Sequence, residues 1–362
     1  MDQVLPVLPA REVGLWRLVA QRVVPSLPGA AGVVEHLTCA QAQDLRAATT
    51  AVALRTAPGG PDLTAALGTG EVVRSWPLRG TLHLVPAVDL PWVLALCAPR
   101  VLRSTATRRA GLGITDDDAA AARRTAEDAL AGGRGATRTE LLAALGAAGQ
   151  VTADGRGYHL LLHLSLTGVL CLGPLRGREQ EFVLLAEHVP RPRHLDGDDA
   201  LAELARRFLL SHGPATVADL ARWAGLPLTA ARRAVAAART DLAAVDVEGT
   251  EHLHDPALPD LVAAHRRTAA GTHLLPGFDE FVLGYADRSH VLPAEHAERV
   301  VPGGNGVFRG TVVHGGVVVG TWSRGPGRAG EQVAAEPFGS FTPAQERGVR
   351  RCAAALPDGR PG

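Results

Sequence analysis

Lysine is absent from all 362 positions: the 37 basic residues are arginines, set against 37 acidic ones. A Walker A phosphate loop needs its lysine, and imine-forming catalysis normally uses a lysine amine. Both are excluded, apart from the α-amino group of Met1. Cysteine is scarce: Cys39, Cys97, Cys171 and Cys352 lie far apart, with neither a C-x-x-C spacing nor a tight Cys/His cluster. That pattern fits a reducing compartment and argues against a structural zinc site or a disulfide framework. No apolar run reaches the ~18 residues of a membrane span. The first residues lack a basic-then-apolar signal pattern, with Pro6 and Pro9 interrupting them. Net charge is zero, so any footprint for a polyanion must be local. The expectation is a soluble, cytoplasmic protein.

Apolar residues make up 46% of the chain, enough for several small cores. The middle is the best organised. TRTELLAALGAAG (137–149) opens on a Thr137–Glu140 capping pattern, and a turn leads to YHLLLHLSLTG, closed by Gly168. Two β-prone runs then flank a Gly/Arg turn. Helix, turn, helix, hairpin is the order of a winged helix-turn-helix. It recurs after the linker VPRPR: a helix over 198–212, VADLARWAG started by Thr216 and ended by Gly225, a third helix from Pro227, and a hairpin about Glu248-Gly249. The N-terminal third reads similarly, with helices over 11–23, 30–36, about 44–53 and 62–67. Strands VVRSWPL and GTLHLVP follow, turning at Arg79-Gly80, and then an arginine-bearing helix over 91–110.

From about residue 271, FVLGY, GVFRGTVVHGG and VVVGTWSRG read as β-runs of a small antiparallel sheet or barrel. A closing helix starts at Thr342. The expected fold is therefore α+β: winged-helix units over 1–133, 134–193 and 194–270, then a β-rich, barrel-like domain over 271–362.

Positive charge gathers in two places. Arg100, Arg103, Arg108 and Arg109 lie between Asp89 and Asp116 with no intervening acid, interleaved with Ser104, Thr105 and Thr107. Arg232 and Arg233, with Arg239, sit on the predicted recognition helix of the third unit. Either cluster alone reads as a solvated face. Combined with winged-helix geometry, they make nucleic acid the expected partner. A non-catalytic winged-helix regulator or adduct-binding protein is the alternative. Against it stand the lack of an evident dimerisation or effector segment and the presence of three units in one chain.

Four stretches carry a resemblance: HLTCAQAQDLRAATTAVALRT, SWPLRGTLHLVP, LLPGFDEFVLGYADRS and VPGGNGVFRGTVV. Together they resemble the AlkZ/YcaQ family of winged-helix DNA glycosylases, in the family's order and over nearly the whole chain. Gln41-Ala42-Gln43 matches the Gln-x-Gln signature of the AlkZ-like branch, whereas the YcaQ-like branch has aspartate at the second position. The resemblance implies tandem winged helices around a β-rich domain, with a channel for double-stranded DNA. It also implies monofunctional excision of N7-alkylated guanine, including unhooking of interstrand crosslinks, with Gln41 and Gln43 as catalytic residues. Self-resistance to a DNA-alkylating natural product is a further implied role.

The chemistry permits it. Glutamine is no general base at neutral pH, but an N7-alkylated purine is already cationic and leaves without much protonation. What remains is to orient a water below C1′ and face the developing oxocarbenium charge, which amides can do. Residues i and i+2 share a side only in an extended segment, so the motif should lie in a loop or helix entrance. Asp44 then reads as the helix cap, with activation of the water as its alternative role. Asp279 and Glu280 are adjacent acids whose structural reading leads, one raised pKa being the alternative. Arg79, Thr81 and His83 could place a lesion-contacting wing, although a lone histidine is usually structural. His159 and His163 have i, i+4 metal spacing but no third ligand, so helix packing is expected. Neither metal nor cofactor is predicted, and the partner is duplex DNA carrying alkylated guanine, bound by a monomer near the nucleoid.

Overall fold

Side-chain caps set many of the helix starts. The computed structural model describes residues 5–325 and 333–359, so Met1 lies outside the described residues. In chain order come α1 (Ala10–Ala20), α2 (Ala30–Leu37), β1 (Ala40–Gln41) and α3 (Leu45–Ala53). Asp44 caps α3, its Oδ1 accepting from the Ala47 N–H at 3.1 Å. Helix α1 ends three residues before the expected 23, where Arg22 takes φ +59°.

Next follow α4 (Leu63–Gly68), β2 (Val72–Leu78), β3 (Thr81–Pro86), α5 (Leu90–Gly111), α6 (Asp116–Leu130), α7 (Arg138–Ala147) and α8 (Arg156–Leu166). Then come β4 (Leu170–Arg176), β5 (Glu179–Leu184) and α9 (Leu185–His188). The remainder is α10 (Gly197–His212), α11 (Val217–Ala224), α12 (Leu228–Ala238), β6 (Ala243–Val247), β7 (Thr250–His254) and α13 (Leu258–Ala269). The chain continues through β8 (Thr272–Leu275), α14 (Glu280–Leu283), α15 (Ala297–Val300), β9 (Gly310–His314), β10 (Val317–Arg324) and β11 (Val333–Pro337) to α16 (Pro343–Ala354).

These elements form two compact units. One comprises the chain up to Gly60 together with the chain from Leu201; the other is Pro61–Ala200. In the second unit the strands β3-β2-β4-β5 lie side by side, antiparallel. Helices α4, α5 and α8 pack on them. The β2–β3 hairpin turns at Arg79 (φ +54°) and Gly80 (φ +73°). Two successive positive φ values match the twist of a two-residue hairpin. Thr137 and Glu140 form the expected capping box on α7, as do Thr115 and Asp118 on α6.

In the first unit, α1 packs on α13 through Leu15, Val19, Leu258 and Val262. The capping box of α11 joins Thr216 to Asp219, and Gly225 closes it at φ +68°. Hairpin β6–β7 turns at Glu248-Gly249, again with both φ positive.

Each unit contains one copy of the same local order. A helix (α6, α10) is followed by a single bridged residue, then two helices and a hairpin. The bridges pair Ala136 with Phe182 and Ala215 with Leu253, each on a strand of the following hairpin.

Two expectations about the C-terminal part need correction. There is no closed barrel among the described residues: the strands form an open sheet, β11-β10-β9-β8. Its two faces are buried differently. Leu274, Val312 and Trp322 pack under α16 residues such as Val349 and Cys352. On the opposite side, Leu275 and Val313 join Phe281, Leu292 and Phe308 in the main core. With helix on one face and core on the other, the sheet is covered without closing. FVLGY is likewise not a strand. Asp279 Oδ1 accepts from the Phe281 N–H at 3.0 Å, starting α14 instead.

Candidate active site

The Gln-x-Gln segment bridges a two-residue strand and a helix. Gln41 ends β1, Ala42 is buried, and Gln43 and Asp44 are exposed just before α3. This is the helix entrance that the i, i+2 argument requires. The two glutamines nonetheless differ: Gln41 is buried, Gln43 open to solvent.

Two acids from the α14 turn hold this segment. The backbone N–H of Gln41 donates to Glu280 Oε1 at 3.0 Å. Glu280 Oε2 accepts from the Trp223 indole at 3.2 Å and lies 3.4 Å from His212 Nε2. Glu280, Trp223 and His212 are all buried, and both rings pack against Phe208. Asp279 grips the far end of α3, where Arg55 Nη1 and Nη2 donate to its two carboxylate oxygens at 2.8 and 2.9 Å.

Arg55 spends its remaining donors inside the protein. Nε donates to Gln21 O at 2.9 Å, Nη1 to Ala51 O at 3.0 Å and Nη2 to Gln21 Oε1 at 3.1 Å. All five N–H groups are thus matched, the condition for burying a guanidinium. Gln21 Nε2 donates onward to the Tyr285 hydroxyl at 2.9 Å, which donates to His212 O at 2.7 Å. Arg17 stacks over the Tyr285 ring at 3.5 Å and donates to Pro214 O. Burial pushes the tyrosine phenol up and the Arg17 guanidinium down from their ordinary pKa values. Asp219 ties in α11, accepting from Thr216 within the capping box and from the Ala286 N–H at 2.8 Å.

Asp279 and Glu280 therefore brace α3 from both ends, while Asp44 is engaged as its cap. Composition and spacing did not reveal Arg17, Gln21, Arg55, His212, Trp223 and Tyr285. A signal was present: arginine inside apolar runs, in GLWRLVA and AVALRT, marks a buried charge that needs a partner.

Beside the motif opens a cleft of about 190 Å³, lined by Asp44, Arg46, Thr50, Pro276, Trp322 and Arg324 among others. Trp322 is fixed as its wall by donating to Leu275 O at 2.7 Å. Gly310 admits this packing, since a Cβ there would come within 2.9 Å of the indole.

The remaining candidates fall in separate places. Arg79, Thr81 and His83 lie in the 61–200 unit at the β2–β3 hairpin. His83 is fully buried, its Nδ1 2.8 Å from Thr81 O and its Nε2 3.5 Å from Arg79 Nη2. Those contacts make it a hairpin brace. On α5, Arg100, Arg103 and Arg108 are exposed and fall within roughly 140° of the helix circumference. Arg109 turns back instead, donating to Thr105 Oγ1 at 3.1 Å. Arg232 and Arg233 are exposed on α12. His159 and His163 are both lowered in pKa by burial, and no group of three metal-ligating side chains occurs among the described residues. Cys97 and Cys171 are pushed up to about 12 by burial, so neither supplies a thiolate.

Comparison with known proteins gives concordant results. Residues 34–358 match the family described as "DNA glycosylase AlkZ-like". The interstrand DNA cross-link repair glycosylase of Streptomyces sahachiroi is 31% identical over 339 residues, covering 86% of this chain and 87% of that protein. The solved structure of the DNA glycosylase AlkZ from the same organism superposes with a TM-score of 0.78 at 26% identity. It covers 98% of this chain and 97% of its own.

Proposed function

The chain belongs to the AlkZ-like family of DNA glycosylases, and from that premise we propose that it hydrolyses the N-glycosidic bond of N7-alkylguanine in duplex DNA. In this reading C1′–N9 breaks with its electron pair passing to the purine, which neutralises the N7 cation. Water forms the new C1′–O bond and releases a proton to solvent, leaving an abasic site on an intact strand. Gln41 and Gln43 orient that water and face the oxocarbenium-like charge. Positioning of this kind supplies roughly 7–11 kcal/mol at best, which suffices only because the leaving group is already activated.

The observation that carries the reading is the bracing of the motif. A buried carboxyl holds the Gln41 backbone, and Asp44 Oδ1 caps the helix that follows, so the segment carrying both amides is fixed at each end. The repeated helix–bridge–helix–helix–hairpin order supports winged-helix units over 134–193 and 194–270, with 1–133 as the first and 271–362 as the β-rich domain. Exposed Arg100, Arg103, Arg108, Arg232 and Arg233 would meet phosphates, with Arg109 oriented by Thr105 beside them. The relative's name supports crosslink unhooking as one task; action as a monomer on nucleoid DNA, in self-resistance, is part of the same proposal.

The test is base release from duplex carrying N7-methylguanine, scored as strand breaks after hot alkali. Gln41→Ala and Gln43→Ala should abolish release. Asp44→Asn, which caps as well as aspartate, should retain it. An active Gln double variant with a dead Asp44→Asn would transfer the chemistry to Asp44.

A further inference from the structure

Two arginines far apart in the sequence of the first unit reach adjacent residues, Asp358 and Pro357. Arg46, in the first turn of α3, directs Nε and Nη2 at the carbonyl of Asp358, both at 3.4 Å, and Nη2 lies 3.5 Å from the Asp358 carboxylate. Arg324, at the end of β10, donates to the carbonyl of Pro357. Both line the cleft that begins at Asp44, next to Gln43. The segment they hold is closely seated, because a Cβ on Gly359 would collide with Thr50 on α3.

We propose that Arg46 and Arg324 form a clamp for a DNA backbone phosphate beside the Gln-x-Gln segment, and that the Pro357-Asp358 segment occupies this clamp when DNA is absent. The inference rests on DNA being the substrate. Three features carry it. Both guanidiniums meet oxygen acceptors, between them two carbonyls and a carboxylate, which is the chemistry a phosphodiester presents. The Arg46 contacts are long, and its side chain and that of Asp358 are 39% and 64% exposed, so this pairing is weak and exchangeable. The position is one helical turn from Gln43, so a phosphate held there belongs to the nucleotide at the glutamines or to its neighbour.

Binding of fluorescein-labelled unmodified duplex, followed by anisotropy across a salt series, tests the clamp without depending on base release. Replacing both arginines (Arg46→Ala with Arg324→Ala) should weaken binding about ten-fold, as for one charge-assisted contact. It should also flatten the slope of log K against log salt by about 1 per phosphate lost. Arg324→Lys, which keeps the point charge, should keep the slope. Asp358→Ala should tighten binding up to about five-fold at low salt, with the gain fading as salt rises. An unchanged slope in the double variant overturns the clamp, and equal or weaker binding by Asp358→Ala overturns the occupancy. Normal base release alongside an unchanged slope rejects the clamp alone. Absent base release with the predicted slopes supports the clamp and rejects the N7-alkylguanine reading alone.

Discussion

Glu280 is the most informative residue to perturb, because its two oxygens serve different parts of the protein. Oε1 takes the Gln41 N–H at 3.0 Å, and Oε2 takes the Trp223 indole at 3.2 Å beside His212. Glu280→Ala takes a buried acceptor from both donors, at about 1–3 kcal/mol each, and leaves a cavity besides. A total loss of about 3–5 kcal/mol is expected. Glu280→Gln keeps the volume and one oxygen. If that oxygen faces Gln41, the new amide NH2 can donate to His212 and only the indole loses its Glu280 acceptor, for about 1–3 kcal/mol. The catalytic consequence should follow Gln41. A displacement of about 1 Å costs on the order of 100-fold in rate, so alanine should lower kcat about that much and glutamine about ten-fold, with KM little changed. Single-turnover base release at saturating enzyme, with urea midpoints as the folding control, measures both effects. A folded Glu280→Ala protein with wild-type kcat would refute the bracing argument.

Other predictions are more local. Asp279→Asn leaves the buried Arg55 without its bidentate partner and should destabilise the first unit by about 3–5 kcal/mol, read as a lowered urea midpoint. Asp44→Ala should cost about 1 kcal/mol through the lost cap, and Asp44→Asn almost nothing. His36 is held near a pKa of about 4, mainly by burial, with Nε2 2.6 Å from Ala20 O. Its folded pKa lies below the unfolded 6.5, so the unfolded chain binds the extra proton. Stability should therefore fall by about 3 kcal/mol as pH drops from 6.5 to 4, and a His36→Gln variant should lose that part of the slope. Borohydride added during base release should trap no covalent enzyme–DNA adduct, since no lysine is present to form an imine.

Much of the fold was legible where local chemistry decides it. The caps at Asp44, Thr137, Thr216 and Thr342, and the hairpin turns at Arg79-Gly80 and Glu248-Gly249, lie where residue types placed them. Helix α6 escaped because only Ala122, Ala126 and Leu130 are buried on it, a stripe too small to register as amphipathic. Helix α13 begins Leu258-Pro259, which reads as a break although proline is favoured in a first turn. FVLGY misled because β-branched and aromatic residues mark burial as readily as strands. At the site, the Gln-x-Gln entrance followed from the i, i+2 spacing once the resemblance set both glutamines on one water. The brace did not, since joining Arg55 to Asp279 needs tertiary contact across 224 residues.

That separation bears on how the protein is made. The first unit is discontinuous, its N-terminal part belonging with the chain from Leu201 onward. Gln41 emerges 239 residues before the Glu280 that anchors it. At about 5–20 residues per second, the Gln-x-Gln segment waits roughly 10–50 s on the ribosome for Glu280, while Pro61–Ala200 is already complete. Biosynthesis thus orders the assembly: the inserted unit can form first, and the site closes last. A nascent chain released before α14 would carry the glutamines without the carboxyl that accepts from the Gln41 N–H.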